Sequence, residues 1–253
     1  MDLELRGKVA LITGASRGIG LAIAKGLAAE GAALCIAARG AEALGEAADT
    51  IRASGGQVLA VPCDVSNDDA VRRLVDQARE HFGRIDILIS NASALSVGGG
   101  REDWERSLAV DLMGAVRLVD AVLPAMREQG EGAILLVSSV SAIEAAPMDD
   151  YGYTSAKAAL NAYAKKLAMN EAANGIRANA LLPGSVEFPG GGWDVMRREN
   201  PPVYEMVRSS IAFGRLGRPE EIADAAVWLV SARAGWVTGA ALGVDGGQGK
   251  GIR

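Results

Sequence analysis

Histidine is nearly missing from this 253-residue sequence, with His81 the single example. A zinc site built from several histidines is thereby excluded, and a Ser-His-Asp triad would have to rest on that one residue. Cysteine is almost as scarce. Cys35 and Cys63 each sit within or at the end of an apolar strand-like run, so they read as reduced core thiols and not as a bridge or a ligand pair. No metal is expected. Positive charge is in deficit: 26 Lys and Arg against 31 Asp and Glu give a net charge of −5, which argues against a nucleic-acid partner. No apolar run reaches the roughly 18 residues that a membrane span requires. The N-terminus, Met1-Asp2-Leu3-Glu4-Leu5, has neither the basic start nor the apolar stretch of a secretory signal. A cytoplasmic protein with no membrane partner is the expectation, and its chemistry must come from side chains other than His and Cys.

What is present is apolar residue in quantity, 49% of the chain, enough for a large core. Strand-like and helix-like segments alternate. Strands are expected at 8–13, 33–38, 57–62, 85–90, 133–138, 177–182 and 240–244. Helices are expected near 19–30, 41–54, 68–81 (with Asn67 as its cap), 104–127, 153–173 and 220–230. Continuous apolar strands separated by helices imply an α/β fold, a doubly wound (Rossmann) parallel sheet with helices on both faces. No linker divides it, so residues 1–253 are read as one domain. The rhythm breaks at about 184–217, where Pro189-Gly190-Gly191-Gly192-Trp193 and Asn200-Pro201-Pro202 flank a short amphipathic piece. A long segment without a strand, following a strand end, reads as a substrate lid.

Between the first strand and first helix runs Thr13-Gly14-Ala15-Ser16-Arg17-Gly18-Ile19-Gly20. Gly14 permits a tight turn, Gly18 lets backbone approach phosphate oxygens, and Gly20 lets the helix pack closely. The helix N-terminus then offers free N–H groups and a positive dipole end to a pyrophosphate. At the end of the second strand, where NAD readers place an acid for the ribose 2′-hydroxyl, this chain has Ala37-Ala38-Arg39. A guanidinium there suits a 2′-phosphate, and Arg17 supplies a second cation. NADP(H) is the expected cofactor.

The other informative segment is Tyr153-Thr154-Ser155-Ala156-Lys157. One helical turn separates the phenol from the ammonium on the same face. Phenol is a poor base at neutral pH, and a nearby positive charge favours the phenolate. Tyr153 is thus a candidate to exchange a proton with a carbonyl or alcohol oxygen. It follows the serine-rich strand end Ser138-Ser139-Val140-Ser141, from which a hydroxyl could orient that oxygen; Ser139 and Ser141 both qualify, and Ser139 is favoured as first in line. Tyr151 meets Ser155 four residues on and lacks the ammonium.

These motifs, with Asp64-Val65 after the third strand, Asn91-Ala92 after the fourth, Pro183-Gly184 after the sixth and Val244-Asp245-Gly246-Gly247 near the end, resemble the compact, roughly 250-residue type of the short-chain dehydrogenase/reductase family over nearly the whole length. The resemblance implies that Ser139 orients substrate, Tyr153 is the acid/base, and Lys157 binds the nicotinamide ribose and assists the tyrosine. It implies adenine contacts for Asp64 and Val65, and cofactor contacts for Gly14, Ser16, Arg17, Gly18, Ile19, Gly20, Arg39, Asn91, Ala92, Pro183, Gly184 and Val186. It also implies a homodimer or homotetramer built on the long helices. Three residues depart from the family pattern. Asp111 stands where the family has the relay asparagine, Ser93 replaces a glycine, and the threonine that often follows Pro-Gly is missing from Gly184-Ser185-Val186-Glu187-Phe188. The expected activity is NADP(H)-dependent interconversion of a carbonyl compound and its alcohol. The alternatives are a 3-oxoacyl-thioester reductase, for which Arg197, Arg198 and Arg208 would meet an acidic carrier, and an NADP(H)-binding sensor or scaffold.

Overall fold

Seven apolar runs form the strands: β1 (Val9–Thr13), β2 (Ala33–Ala38), β3 (Val58–Pro62), β4 (Ile87–Ser90), β5 (Gly132–Val137), β6 (Ile176–Pro183) and β7 (Ala241–Val244). The computed structural model describes residues 1–145 and 148–251. Within them the strands pair in one sheet of order β3-β2-β1-β4-β5-β6-β7, parallel at every step. Alternate side chains serve two separate cores. Ala10, Ile12, Leu34 and Ile36 pack with α1 (Gly18–Ala29), α2 (Ala41–Ala53) and α9 (Pro219–Val230). Leu11, Cys35, Leu88 and Ile134 face α3 (Asp68–Phe82), α5 (Met113–Gln129) and α6 (Tyr151–Glu171) on the other side. A strand covered on both faces has no polar side to show, and so its sequence reads as an unbroken apolar run.

Local chemistry sets the helix limits. Asn67 Oδ1 accepts the Ala70 amide at 2.9 Å to open α3, and Gly83, at φ 79°, closes it. Both cysteines are free and buried. Burial pushes the Cys35 thiol up to about 12 and the Cys63 thiol up to about 11, so neither is a nucleophile at neutral pH.

The single helix expected over 104–127 is interrupted. It starts as α4 (Arg101–Ser107), opens into a π-helical turn over Leu108–Leu112, and resumes as α5. Apolar spacing reads through such an inserted residue, which is why the sequence did not reveal it. π-turns are rare and cluster at functional sites; this one turns Asp111 inward, leaving it 2% exposed. The region after β6 also holds more structure than a bare lid. α7 (Gly192–Glu199) and α8 (Pro201–Ser210) lie there, with Tyr204, Ile211 and Leu216 forming a small core of their own under Trp193 and Met196.

Candidate functional site

Parallel pairing brings the carboxyl ends of β1, β4, β5 and β6 to one edge of the sheet. The strand order reverses between β1 and β4, which is where open α/β sheets bind ligands. The glycine turn leaves β1 at this point. Asn91, at the end of β4, ties it down: its Nδ2 donates to Thr13 O at 3.0 Å and Gly14 O at 3.1 Å. The Thr13 hydroxyl in turn accepts the Asn91 and Ala92 amides, each at 3.2 Å. Thr13 is thus part of the site, a role the motif reading missed. Gly14, at φ +66°, would put a Cβ 2.9 Å from Ala92 Cα, and a Cβ on Gly20 would run into Gly14 O. Both glycines are demanded by packing alone. Gly18 has φ +57°, and a Cβ there would meet the Phe188 ring, 2.6 Å from its Cζ. Ser16 and Ile19 are half-buried beside it, and Arg17 is exposed with its Nη1 donating to Gly190 O at 3.3 Å.

Farther along the same edge, Arg39 and Asp64 are exposed. The Ser66 hydroxyl and amide hold the Asp64 carboxyl below the usual carboxylate range, with the Arg39 charge adding to the effect. Val65 is buried, and Gly114 of α5 packs against its side chain. Val65 is therefore part of the core.

At the other end of the edge, α6 carries Tyr153 half-buried and Lys157 buried. Lys157 Nζ lies 5.6 Å from the Tyr153 ring centroid, donates to Val137 O at 2.9 Å and stands 3.1 Å from Asp111 Oδ1. Asp111 Oδ2 accepts the Ala94 amide at 3.1 Å. The Asp111 carboxylate thus links α6, the π-turn and the loop after β4. Ser138, one residue past β5, anchors α6 by donating from its hydroxyl to Lys157 O at 2.8 Å. Ser139 is buried, with its Oγ accepting the Ser141 amide at 3.1 Å. Among the described residues no group of three or more His, Cys, Asp or Glu side chains could hold a metal ion.

β6 ends at Pro183, and Gly184 and Val186 continue along the edge, Val186 bridging to Gly217. The Ser185 amide donates to Gln248 Oε1 at 2.7 Å and its hydroxyl accepts from Gln248 Nε2 at 3.1 Å. Ser185 is thus occupied by Gln248 and is a poor stand-in for the absent threonine. The basic lid residues are also occupied. Arg197 pairs with Glu187 at 2.7 Å, Arg198 with Asp194 at 3.2 Å and Arg208 with Glu205 at 2.7 Å.

A family model described as enoyl-(acyl carrier protein) reductase matches residues 14–248. A solved short-chain type dehydrogenase/reductase from Mycobacterium marinum superposes with a TM-score of 0.90 at 35% identity, covering 98% of this chain and 97% of its own. The chain belongs to the short-chain dehydrogenase/reductase family. Another relative, the 3-oxoacyl-[acyl-carrier-protein] reductase FabG of Thermotoga maritima, is 35% identical over 97% of this chain and 99% of its own length. L-sorbose reductase from Gluconobacter frateurii, solved with NADPH and L-sorbose, has a TM-score of 0.89 at 35% identity with all of both chains covered. This short-chain dehydrogenase/reductase thus has the fold and motif order of oxidoreductases that act between alcohols and carbonyls with a nicotinamide cofactor. No helix among its described residues is long and apolar enough to cross a membrane.

Proposed function

We propose that the chain is an NADP(H)-dependent oxidoreductase that interconverts a carbonyl compound and its alcohol. The observation that carries this reading is the Lys157 ammonium 5.6 Å from the Tyr153 ring on α6, at the sheet edge that also holds the glycine turn. The residues present fit a dinucleotide. Gly14 and Gly20 leave no space for side chains in the turn, the N-terminus of α1 suits phosphate, and Arg17 and Arg39 are exposed cations that suit a 2′-phosphate. A nicotinamide held there would supply hydride to the carbonyl carbon, or take it from the alcohol in the reverse direction. The Ser139 hydroxyl orients the carbonyl oxygen, the Tyr153 phenol donates a proton to that oxygen in reduction or takes it in oxidation, and Lys157, beside the Tyr153 ring, would hold the nicotinamide ribose. Water exclusion falls to residues 184–217, which we read as the substrate lid.

Tyr153→Phe tests this directly. Turnover on a carbonyl panel followed by NADPH absorbance should drop by roughly 10²-fold or more, while NADPH affinity stays within about twofold of the unmodified protein. A variant that keeps a tenth of the activity removes Tyr153 from the acid/base role. The panel should include a 3-oxoacyl thioester, because the Thermotoga relative is a 3-oxoacyl-[acyl-carrier-protein] reductase. The pairing of Arg197, Arg198 and Arg208 with lid carboxylates weighs against an acidic carrier. A sensor would bind NADPH without consuming it. We further read the chain as a homodimer or homotetramer; exposed Trp104, Leu108 and Met113 along α4, the π-turn and α5 support this, and sedimentation will test it.

A further inference from the structure

Phe188 ends the segment Gly184–Phe188, from which the family's threonine is missing, and its ring does something a threonine could not. It is clasped between two glycines. A Cβ on Gly18 would approach the ring Cζ to 2.6 Å, and one on Gly191 would approach it to 2.9 Å. Gly18 opens α1, so the ring covers the backbone that a pyrophosphate would contact. Beside it, Arg17 Nη1 donates to Gly190 O at 3.3 Å, fastening the start of the lid to the same turn. Phe188 also lines a cavity of about 310 Å³, together with Glu187, Asp194, Arg197, Leu216, Gly217 and Arg218. The ring therefore has space to enter. The lid has its own apolar cluster and joins the body through Ser185–Glu187 paired with Gly217, at 2.9 Å for both backbone hydrogen bonds. Phe188 lies one residue beyond that joint.

We propose that Phe188 selects the cofactor: its ring covers the phosphate seat at Gly18, a dinucleotide displaces it toward the cavity, and the Arg17–Gly190 hydrogen bond is a catch that a 2′-phosphate releases. The catch rests on the reading of Arg17 as a 2′-phosphate ligand; the covered seat does not. A 2′-phosphate draws the Arg17 guanidinium by a charge-assisted pair stronger than its bond to a neutral carbonyl. NADPH thereby helps to free Gly190 and the adjoining ring, whereas NADH must move both without that help. Affinity is lowered for any ligand that must first shift its site to a competent state, and more for the ligand that contributes less to the shift.

The experiment measures NADPH and NADH binding without carbonyl substrate, by titration calorimetry and by stopped-flow energy transfer from tryptophan, for the unmodified protein, Phe188→Ala and Phe188→Leu. Phe188→Ala should bind both dinucleotides at least fivefold more tightly, NADH gaining more, so that the preference narrows. Its observed association rate should rise linearly with ligand where the unmodified protein saturates. Phe188→Leu keeps apolar bulk over Gly18 and should stay within twofold of the unmodified protein. If Phe188→Ala proves unfolded, Phe188→Thr is measured in its place with the same expectation. Unchanged or weakened binding of both ligands overturns the proposal. Equal binding of NADPH and NADH by the unmodified protein, with equal tightening in the variant, overturns the catch and the NADP(H) reading while supporting the covered seat.

Discussion

Lys157 Nζ and Asp111 Oδ1 form an ion pair 3.1 Å apart, with side chains 3% and 0% exposed. A buried pair is not a net source of stability by itself, yet removing one partner strands the other charge in a low-dielectric site. Asp111→Ala would leave the ammonium with Val137 O as a hydrogen-bond acceptor and no carboxylate beside it among the described residues. The expected loss is about 3–5 kcal/mol, read from urea denaturation. Asp111→Asn should lose less, because an amide oxygen can still take the Ala94 amide. Should Asp111→Ala cost under about 1 kcal/mol, the value of an exposed pair, the ion pair does not form in solution.

Arg39 carries the second prediction. It is exposed beside Asp64, whose carboxyl is held low by the Ser66 hydroxyl and amide and by the Arg39 charge. Arg39→Asp sets two carboxylates where a 2′-phosphate would bind. The unmodified protein should bind NADPH at least tenfold more tightly than NADH, about 1.4 kcal/mol, and the variant should abolish or reverse that difference. Equal affinities in the unmodified protein would refute the assignment.

Acid sensitivity has a located source at the start of α9. Glu221 accepts from Arg215 Nη1 at 2.8 Å and from the Arg218 amide at 2.8 Å, and these bonds bring its carboxyl down to about 2. A carboxyl depressed in the folded state stabilises it above its unfolded value and loses that contribution as pH falls toward the folded one. The melting-temperature gap between the unmodified protein and Glu221→Gln should be full at pH 6–7. It should shrink between about 4.5 and about 2. A gap independent of pH across that window removes Glu221 as the cause.

The reach of the sequence can be judged at particular residues. β1, β2 and β6 were legible because both faces of each strand are buried, and Asn67 announced α3 because a cap acts within three residues. The turn at Leu108–Leu112 was hidden, since one extra residue barely disturbs an apolar pattern. Asp111 was recognised as a departure, but its pairing with Lys157 spans two helices and has no local sign. Phe188 against Gly18 is equally non-local. Arg197 and Arg198 show a contact that was local. Their Asp194 partner stands three and four residues away, a spacing that itself signals helical ion pairs, so this pairing was readable beforehand.

Residues 245–251 close one side of the catalytic edge, and this gives the last prediction. Gln248 holds Ser185, and Asp245 Oδ2 accepts the Gly249 amide at 2.9 Å. The Lys250 and Gly251 amides both donate to Glu144 Oε1 at 2.7 Å, while Lys250 Nζ donates to Ser210 O at 2.9 Å. The chain end thereby joins the loop after Ser139 to the end of α8, and fixes two walls relative to each other before substrate arrives. Deleting residues 249–253 leaves Gln248 and Asp245 in place but removes the Lys250 and Gly251 amides from Glu144 and the Lys250 ammonium from the lid end. Ordering the two walls on binding then costs about 0.5–1.5 kcal/mol per side chain, so KM for the carbonyl substrate should rise roughly threefold to tenfold. NADPH affinity should change less than about twofold, because the deletion removes neither Arg39 nor the Phe188 and Arg17–Gly190 contacts at the glycine turn. A truncated protein with unchanged KM would show that these contacts brace the surface without shaping the cleft.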